Sequence, residues 1–410
     1  MPCFPLFCCR RLNSAGRTPE VDEEFAVIEN IKLYSYKELR AVTDDFSPTN
    51  KIGEGGFGSV YKGKLKNGKL AAIKVLSTES QQGTNEFLAE IKAISEIQHE
   101  NLVKLYGCCV EGQHRILVYN YMENNSLAET LLGRQKYSIE FNWTMRSKIC
   151  IGIARGLAFL HEEVHPHIVH RDIKASNILL DKDFTPKISD FGLAKLMPPN
   201  VTHVSTQVAG TLGYLAPEYA VRGQLTRRAD VYSFGVLLAE IVCGRCNRNM
   251  RLPSEDRYLL ERGERRPLHE VLPEIMVFGI LEIWDHYRRR ELVVLVDESL
   301  DGNFDPEEAC RFLKVSLLCT QDAPKLRPPM STAVKMLTGD IDVDEMEIAA
   351  PGLISDLFDV KVQGLQNDKH NATTSSYDNS TFSSSDTMQN STFVSGALTG
   401  ATSTFTAAYD

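Results

Sequence analysis

One segment of this 410-residue chain constrains its fold more than any other. It reads His170-Arg171-Asp172-Ile173-Lys174-Ala175-Ser176-Asn177, it runs directly into the apolar stretch Ile178-Leu179-Leu180, and Asp190-Phe191-Gly192 follows soon after. Asp190 and Asn177 supply hard oxygen ligands of the kind that Mg²⁺ prefers. Asp172 is placed to accept a proton from a hydroxyl group. The segment therefore predicts a site for phosphoryl transfer, which depends mainly on positioning and charge neutralisation.

A glycine-rich turn lies earlier in the chain, at Ile52-Gly53-Glu54-Gly55-Gly56-Phe57-Gly58-Ser59-Val60. Glycine lets a backbone approach a phosphate closely, although this pattern is a weak indication when it stands alone. Val60–Lys66 and Lys69–Leu76 read as strands, and Asn67-Gly68 between them is a strong hairpin signal. Because a hairpin and not a helix follows the glycines, the dinucleotide-binding version of the motif is excluded.

Lys74 lies inside an apolar strand, so its ammonium group either reaches the surface or has a charged partner. We predict that Thr84 opens the following helix, with Glu86 in its first turn. Glu90 falls within an apolar stripe of that helix, which is formed by Phe87, Ile91, Ile94 and Ile97. A carboxylate on a core-facing stripe is costly unless it is paired. We therefore predict an ion pair between Glu90 and Lys74 that holds the lysine ready for phosphate oxygens.

The order of the predicted elements indicates an α+β protein with two lobes. Short β-rich runs come first, and long helical runs such as Trp143–Glu162 and Asp230–Val242 follow. We expect an N-terminal arm over 1–45 and a folded domain over 46–340, with a small lobe to about 122. A Ser/Thr-rich tail over 341–410 has too few aliphatic residues to fold. The net charge of −9 argues against a nucleic-acid-binding protein.

Together these motifs resemble the eukaryotic protein kinase family along about 46–340, because its whole signature set occurs in order and at the expected spacing. The resemblance implies the bilobal kinase fold, with a small β-rich N-lobe that holds one key helix and a larger, mainly α-helical C-lobe. It also implies ATP and Mg²⁺ as cofactors. By resemblance, Gly53, Gly55 and Gly58 lie over the ATP phosphates, and Lys74 binds the α- and β-phosphates while it pairs with Glu90.

The resemblance assigns roles to the catalytic segment as well. Asp172 is the catalytic base, Lys174 steadies the γ-phosphate, and Asn177 and Asp190 hold magnesium. The segment Tyr119-Asn120-Tyr121-Met122 looks like the hinge between the lobes. There Tyr119 is the gatekeeper residue, and the backbone of Asn120 and Met122 reaches adenine.

Lys174, two residues after the base, is similar to the serine/threonine form of the catalytic loop, and the segment Gly210–Glu218 agrees with it. The chain resembles most the receptor-like kinases related to Pelle and the interleukin-receptor-associated kinases, especially plant receptor-like cytoplasmic kinases. The resemblance rests on Phe46-Ser47, Asn101–Leu105, Gly192–Lys195 and Asp230–Gly235. It implies protein substrates and an upstream membrane receptor kinase. Residues 263–283 depart from the pattern, either as a real insertion or as a gene-prediction artefact.

The activation segment, Asp190–Glu218, offers Thr202, Ser205, Thr206 and Thr211 as hydroxyl groups. Arg171 adds a positive charge beside the base, and kinases with this Arg-Asp pair commonly need a phosphate on that segment. We predict that Ser205 and Thr206 are phosphorylated and bind Arg171; the alternative is that they are merely exposed. We expect the Thr211 hydroxyl to hydrogen-bond the catalytic loop instead.

The cysteines come as close pairs or singletons, which fits reduced thiols in a cytoplasmic protein and not a disulfide framework. Cys3, Cys8 and Cys9 lie beside two arginines. Palmitoyl groups on two or more of them would attach the chain to the inner face of the plasma membrane. The alternative is a frayed tail with incidental cysteines.

Three other functions compete with an active kinase. A zinc protease is suggested by His161-Glu162-Glu163-Val164-His165, but Pro166 disfavours helical backbone at His165. Zinc binding at Cys243-Gly244-Arg245-Cys246 lacks a second cysteine pair. A catalytically silent kinase-fold scaffold is the main alternative, although such proteins typically lose one of three residues that this chain keeps: Lys74, Asp172 and Asp190.

Overall fold

The computed structural model describes residues 31–55, 58–76, 81–133, 139–199, 201–211, 213–246 and 278–351. Several positions singled out above lie outside these ranges, namely Cys3, Cys8, Cys9, Gly56 and Phe57, together with 263–277 and 352–410. Within the described residues, a five-stranded antiparallel sheet precedes a larger helical lobe. The predicted bilobal α+β architecture is therefore confirmed.

The sheet of the small lobe has the strand order β1-β2-β3-β5-β4. Its strands are β1 (Lys51–Gly55), β2 (Gly58–Lys64), β3 (Leu70–Leu76), β4 (Leu105–Glu111) and β5 (His114–Asn120). The predicted turn at Asn67-Gly68 joins β2 to β3. The Asn67 side chain accepts a hydrogen bond from the Lys69 N–H, and Gly68 has a φ of 80°, which favours glycine. The turn places Lys74 in the middle of the sheet.

Residues 31–50, which precede the sheet, pack against the small lobe. Helix α1 (Tyr36–Val42) follows a short backbone pairing in which the Tyr34 N–H donates to the Cys108 carbonyl of β4. Leu39 and the Tyr34 ring are buried against the sheet. These apolar side chains lie before the expected boundary at residue 45 and cover one face of the sheet.

Helix α2 (Gln81–Ile94) packs on the other side of the sheet. It begins three residues before Thr84, so Glu86 lies in its second turn and not in its first. The difference arises because glutamine, which precedes Gly83, is itself a good helix former. Phe87 and Ile91 are fully buried against the sheet, and this packing directs Glu90 inwards.

The large lobe is built from helices around one apolar core. Its helices are α3 (Leu127–Thr130), α4 (Trp143–Ala158), α5 (Pro217–Arg222), α6 (Arg227–Cys243), α7 (Phe278–Arg289), α8 (Pro306–Cys319) and α9 (Met330–Thr338). Its short strand pairs are β6 (His167–Val169) with β9 (Lys195–Met197), β7 (Ile178–Leu180) with β8 (Pro186–Ile188), and β10 (Val204–Ser205) with β11 (Gln224–Leu225). None of the helices in the described ranges is long and apolar enough to cross a membrane.

Helix α6 forms the centre of this lobe. The Thr226 side chain caps its first turn, and Gly244, with a φ of 64°, ends it. The helical run predicted at Asp230–Val242 is present, and every residue from Ala229 to Cys243 is buried. Helix α4 reaches the small lobe at Gly152, where a Cβ atom would lie 2.5 Å from Pro186 and 2.8 Å from the Asn101 side chain. This close packing fixes the position of α4 against β8 and Asn101.

The fold also continues past the expected boundary at residue 340. Val343 and Ile348 are buried against the large lobe, and Pro351 pairs with Gln321. The first part of the predicted tail therefore belongs to the domain, because its few apolar residues cover the core. Likewise, Ile280 and Ile283, from the end of the segment 263–283, are buried as part of α7.

Arg327 provides a buried charged anchor between α5 and the C-terminal helices. Its guanidinium group donates to both Glu218 carboxylate oxygens at 2.7 and 2.8 Å. It also donates to the backbone carbonyls of Gln321, Arg228 and Asp322. All five N–H groups of the guanidinium are therefore used.

We expect Arg327→Ala to lower the free energy of unfolding by about 3–5 kcal/mol, because it leaves the Glu218 carboxylate buried without its cation. The exposed neighbour Lys325 provides the control, and Lys325→Ala should change that free energy by less than about 0.5 kcal/mol. Chemical denaturation of the two variants measures the difference. Equal midpoints for both would contradict this role of Arg327.

Candidate active site

The glycine-rich turn lies between β1 and β2. The two strands pair with the following residues opposite each other: Gly53 and Val60, Glu54 and Ser59, Gly55 and Gly58, with Ile52 at a bulge. Gly58 has a φ of 131°, and a Cβ atom there would collide with the Val75 carbonyl of β3. Only glycine fits this close approach. The turn is thereby held directly beside the strand that carries Lys74.

Lys74 joins three elements of the structure. Its Nζ atom lies 2.5 Å from Glu90 Oε1 on α2 and 2.8 Å from Asp190 Oδ1 at the start of the activation segment. Glu90 is fully buried, and 13% of the Lys74 side chain is exposed. The predicted Lys74–Glu90 ion pair is present, and Asp190 adds a second carboxylate to it.

The opposite charges of Lys74 and its two carboxylate partners shift the pKa values of all three residues. Burial alone would lower the pKa of Lys74, but the Asp190 and Glu90 carboxylates raise it above its ordinary value. Burial would raise the pKa of Asp190, but the Lys74 ammonium lowers it well below its ordinary value. Burial raises the pKa of Glu90 to about 7, against the opposing effect of Lys74. Asp190 is therefore the carboxylate that stays ionised and available to a cation.

Tyr119 connects this group to the hinge. It lies at the end of β5, and its hydroxyl donates a hydrogen bond to Glu90 Oε2. The next residue, Asn120, is tied to Lys104 of the small lobe by two hydrogen bonds, one of 2.8 Å to its side chain and one of 3.0 Å from its N–H. Met122, whose side chain is buried, follows directly. The predicted adenine-binding backbone is thus fixed beside the predicted gatekeeper residue.

The Asp172 carboxylate is held by three side chains. Its Oδ1 accepts from the Thr211 hydroxyl at 2.6 Å, and its Oδ2 lies 2.9 Å from both Asn177 Nδ2 and Lys174 Nζ. Lys174 also donates to Thr211 at 2.8 Å. The predicted contact of Thr211 with the catalytic loop is therefore present. The carboxylate has a defined orientation, which a general base requires.

Asp230, at the start of α6, holds the backbone of the catalytic loop. Its buried carboxylate accepts hydrogen bonds from the N–H groups of His170 at 2.7 Å and Arg171 at 2.8 Å. His161 Nε2 lies 2.9 Å from the same carboxylate. Burial opposes ionisation, but these hydrogen bonds, led by that of His161, lower the pKa of Asp230. The charge of Asp230 therefore fixes the loop at Arg171, whose φ of 72° is otherwise unfavourable.

The same contact accounts for His161, which was considered above as a zinc ligand. His161 is buried against Asp230, and His165 is exposed, with its Nδ1 3.1 Å from the Glu163 carbonyl. Across the described ranges, no three His, Cys, Asp or Glu side chains are grouped to hold a metal ion by themselves. The zinc protease function is therefore not supported by the structure.

The donors near Lys74 do fit a magnesium ion that is bound together with phosphates. Asp190 is an ionised carboxylate, as argued above. Asn177 Nδ2 donates to the carbonyl and the carboxylate of Asp172 at 2.8 and 2.9 Å, so the amide oxygen is the Asn177 atom that can bind a cation. Two hard oxygen donors of this kind suit Mg²⁺, which completes its shell with water and substrate phosphate.

Arg171 is already engaged in this structure. Its guanidinium is buried and donates to the carbonyls of Leu193 and Gln207 and to the Tyr219 hydroxyl. Ser205 is exposed in β10, and the Thr206 N–H donates to the Gly223 carbonyl. Phosphorylation of Ser205 and Thr206 stays a prediction, but a phosphate there would have to displace existing bonds to reach Arg171.

Sequence reasoning did not find the structural roles of Asp230 and Tyr219. Asp230 carried one signal, since it is a carboxylate at the start of an apolar run that is long enough to be buried throughout. A buried carboxylate needs partners, but its partners lie about 60 residues away along the chain. Tyr219 carried no signal of its own, because a buried tyrosine needs no special explanation.

Comparison with known proteins shows the family to which the chain is similar. Residues 46–305 match the family described as "Protein kinase domain". The chain is 66% identical over 366 residues to "Cold-responsive protein kinase 1" of Arabidopsis thaliana, which covers 89% of this chain and 87% of that protein.

Two receptor-like proteins of the same plant are similar over a shorter part of their length. The chain is 50% identical over 337 residues to a "Probable LRR receptor-like serine/threonine-protein kinase", covering 82% of this chain and 30% of that protein. It is 47% identical over 357 residues to a "Probable leucine-rich repeat receptor-like serine/threonine-protein kinase", covering 86% of this chain and 33% of that protein. The chain thus spans about a third of these two relatives. The resemblance drawn from the sequence motifs is confirmed, and the chain belongs to the protein kinase family, among relatives named as serine/threonine-protein kinases.

Proposed function

We propose that this chain transfers the γ-phosphate of ATP to serine and threonine hydroxyls of proteins, with Asp172 as the general base. One observation carries the proposal. A buried ammonium, Lys74, is held by two carboxylates, and a separate carboxylate, Asp172, is held by three side chains. Both halves of a phosphoryl-transfer site are therefore preorganised. Preorganisation is what this reaction requires of a protein.

The nucleotide side of the proposed site uses the small lobe. The turn that contains Gly53, Gly55 and Gly58 brings backbone N–H groups to the phosphates. Lys74 neutralises the α- and β-phosphates, and Glu90 keeps its ammonium in place. The backbone of Asn120 and Met122 binds adenine. The hydrogen bonds of Lys74 to Glu90 and Asp190, and of Asn120 to Lys104, support these roles.

The acceptor side uses the catalytic loop. Asp172 orients the substrate hydroxyl and accepts its proton, while Lys174 balances the charge that develops on the transferred phosphoryl group. Asp190 and Asn177 would hold Mg²⁺, whose chemistry is to neutralise phosphate charge. Thr211 links the substrate-binding turn to the base through its 2.6 Å hydrogen bond. This arrangement supports serine and threonine as acceptors.

The receptor-like relatives suggest where the kinase acts. Their names describe leucine-rich-repeat receptor-like kinases, and this chain matches about a third of each. We propose that a membrane receptor kinase of this type is the upstream partner. The isolated kinase domain of such a receptor should phosphorylate Asp172→Asn protein, which cannot label itself. If the receptor kinase domain incorporates no phosphate into that variant, the receptor is not the upstream partner.

Asp172→Asn should keep the fold and ATP binding but lower phosphoryl transfer by about a hundredfold or more, because an amide cannot accept the hydroxyl proton. Asp183→Asn is the matched control, since Asp183 is an exposed carboxylate beyond β7. Incorporation of radioactive phosphate from ATP into the chain and into a generic peptide measures both variants.

Asp172→Asn activity within about threefold of wild type would refute the role of Asp172, since a general base contributes far more than that. If the wild-type chain bound ATP but transferred no phosphate, the alternative function, a catalytically silent scaffold with a kinase fold, would be correct.

The N-terminal cysteines form the basis of a separate proposal, that Cys3, Cys8 and Cys9 carry palmitoyl groups which attach the kinase to the inner face of the plasma membrane. Replacing all three by serine should move the protein from the membrane fraction to the supernatant, because two or more acyl chains are needed for stable attachment. Cys246→Ser is the control, because Cys246 is exposed in the large lobe. Equal distributions of the triple variant and the control would contradict the proposal.

A further inference from the structure

A lysine side chain and an aromatic ring connect the hinge to the glycine-rich hairpin, which consists of β1, β2 and the turn between them. Lys62 lies on β2, and its Nζ atom is 4.5 Å from the centroid of the Tyr121 ring. Both side chains are half-buried. An ammonium group over the face of an aromatic ring at this distance makes a cation–π contact. The contact therefore joins the hairpin to the segment between the lobes.

The strand register places Lys62 on the nucleotide face of the sheet. Lys62 pairs with Ala72 of β3, and Val60 pairs with Lys74. Because side chains two residues apart in a strand point to the same face, Lys62 shares a face with Val60 and Lys74. This is the face on which Lys74 contacts Glu90 of α2. Lys62 thus borders the proposed nucleotide site from the side of the hairpin.

The Tyr121 ring is the partner of the Lys62 ammonium. Within the described part of the chain, no Asp or Glu side chain forms an ion pair with Lys62. The other hairpin differs in this respect at its first residue, since Lys51 of β1 pairs with Glu54 at 2.8 Å. A half-buried ammonium without a carboxylate gains stabilisation from the electrons of the ring, and the gain is larger where water is partly excluded.

The backbone that carries the ring is fixed. Tyr121 lies between Asn120, which is tied to Lys104 by two hydrogen bonds, and Met122, whose side chain is buried. The glycine-rich hairpin, by contrast, lies at the edge of the sheet, where β1 pairs with β2 and only β2 pairs with β3. The Lys62–Tyr121 contact therefore gives this edge element a second attachment, directly to the hinge.

We propose that the Lys62–Tyr121 contact positions the glycine-rich hairpin against the hinge and thereby raises the affinity of the site for its nucleotide. Lys62 is a positioning residue, because it acts through Tyr121 and not on the transferred phosphoryl group. The inference rests on the proposed function, in which the hinge binds adenine and the turn binds phosphates. One nucleotide must contact both elements, and a site that already holds them together loses less conformational freedom on binding.

The first test is Lys62→Met in the full chain, which removes the charge and keeps an unbranched side chain. KM for ATP should rise about threefold, the effect expected from the loss of one cation–π contact at a half-buried site. The kcat for a serine/threonine peptide should change by less than about 1.5-fold, because the contacts of Asp172 are untouched. Lys62→Arg should restore KM for ATP, since a guanidinium group also binds an aromatic face.

The second test is a double-mutant cycle between Lys62 and Tyr121. Tyr121→Leu should raise KM for ATP about threefold, and Lys62→Met/Tyr121→Leu should raise it no further. Independent effects of the two side chains would instead multiply to about ninefold. Tyr121→Phe should stay within about twofold of wild type, because it keeps the ring.

The small lobe offers a matched control of the same chemistry. Lys69 Nζ lies 5.7 Å from the centroid of the Tyr106 ring, and that ring packs with the cluster on the opposite face of the sheet, around Leu39. Lys69→Met should leave KM for ATP within about 1.5-fold of wild type. Melting temperatures of Lys62→Met and Lys69→Met show whether a general loss of stability could account for any difference.

Calorimetric titration with ADP and magnesium measures nucleotide affinity without phosphoryl transfer, and Lys62→Met should weaken that affinity about threefold. An affinity equal to that of Lys69→Met would overturn the inference, as would a ninefold effect in the double variant. If Lys62→Met does not fold, the comparison of Tyr121→Leu with Tyr121→Phe decides. Wild-type protein that binds ADP but transfers no phosphate would instead refute the proposed function, and the titration would still decide the inference.

Discussion

A lysine buried in the middle of a sheet can keep its charge only if carboxylates surround it. At Lys74 these carboxylates come from two other parts of the chain, Glu90 on α2 and Asp190 after β8. The requirement for pairing therefore docks the helix on the sheet and brings the start of the activation segment beneath the glycine-rich turn. The positions of the proposed phosphate-binding and cation-binding groups both follow from this one constraint.

The large lobe uses a second buried charge in a comparable way. The Asp230 carboxylate holds the backbone N–H groups of His170 and Arg171, so that Asp172 projects from a fixed loop. Arg171 in turn binds the activation segment through backbone carbonyls and Tyr219. Neither system depends on a flexible surface ion pair, which would contribute little.

Local sequence patterns were sufficient for much of this structure. The turn at Asn67-Gly68 followed from its turn-forming residues, the helical run at Asp230–Val242 from periodicity, and the pairing of Glu90 with Lys74 from the cost of burying a charge. Helix boundaries were less certain, as the early start of α2 at Gln81 shows, because neighbouring residues often tolerate either state.

Contacts between distant residues were the part that sequence could not provide. Glu218 and Arg327 are 109 residues apart, and nothing in either local pattern identifies the other as its partner. The same holds for Tyr219 and Arg171, which meet only because α5 returns to the catalytic loop. The residues 341–351 likewise resembled a polar tail until the surface that they cover was known.

The most direct measurement of the central claim is phosphoryl transfer by Lys74→Met and Glu90→Gln, assayed with ATP, magnesium and a serine/threonine peptide. The account predicts that Lys74→Met loses activity by about a hundredfold or more, because the phosphate anchor and the partner of two carboxylates disappear together. Glu90→Gln should lose less, since Lys74 keeps Asp190 as a partner. Lys74→Met activity equal to that of wild type would contradict the account.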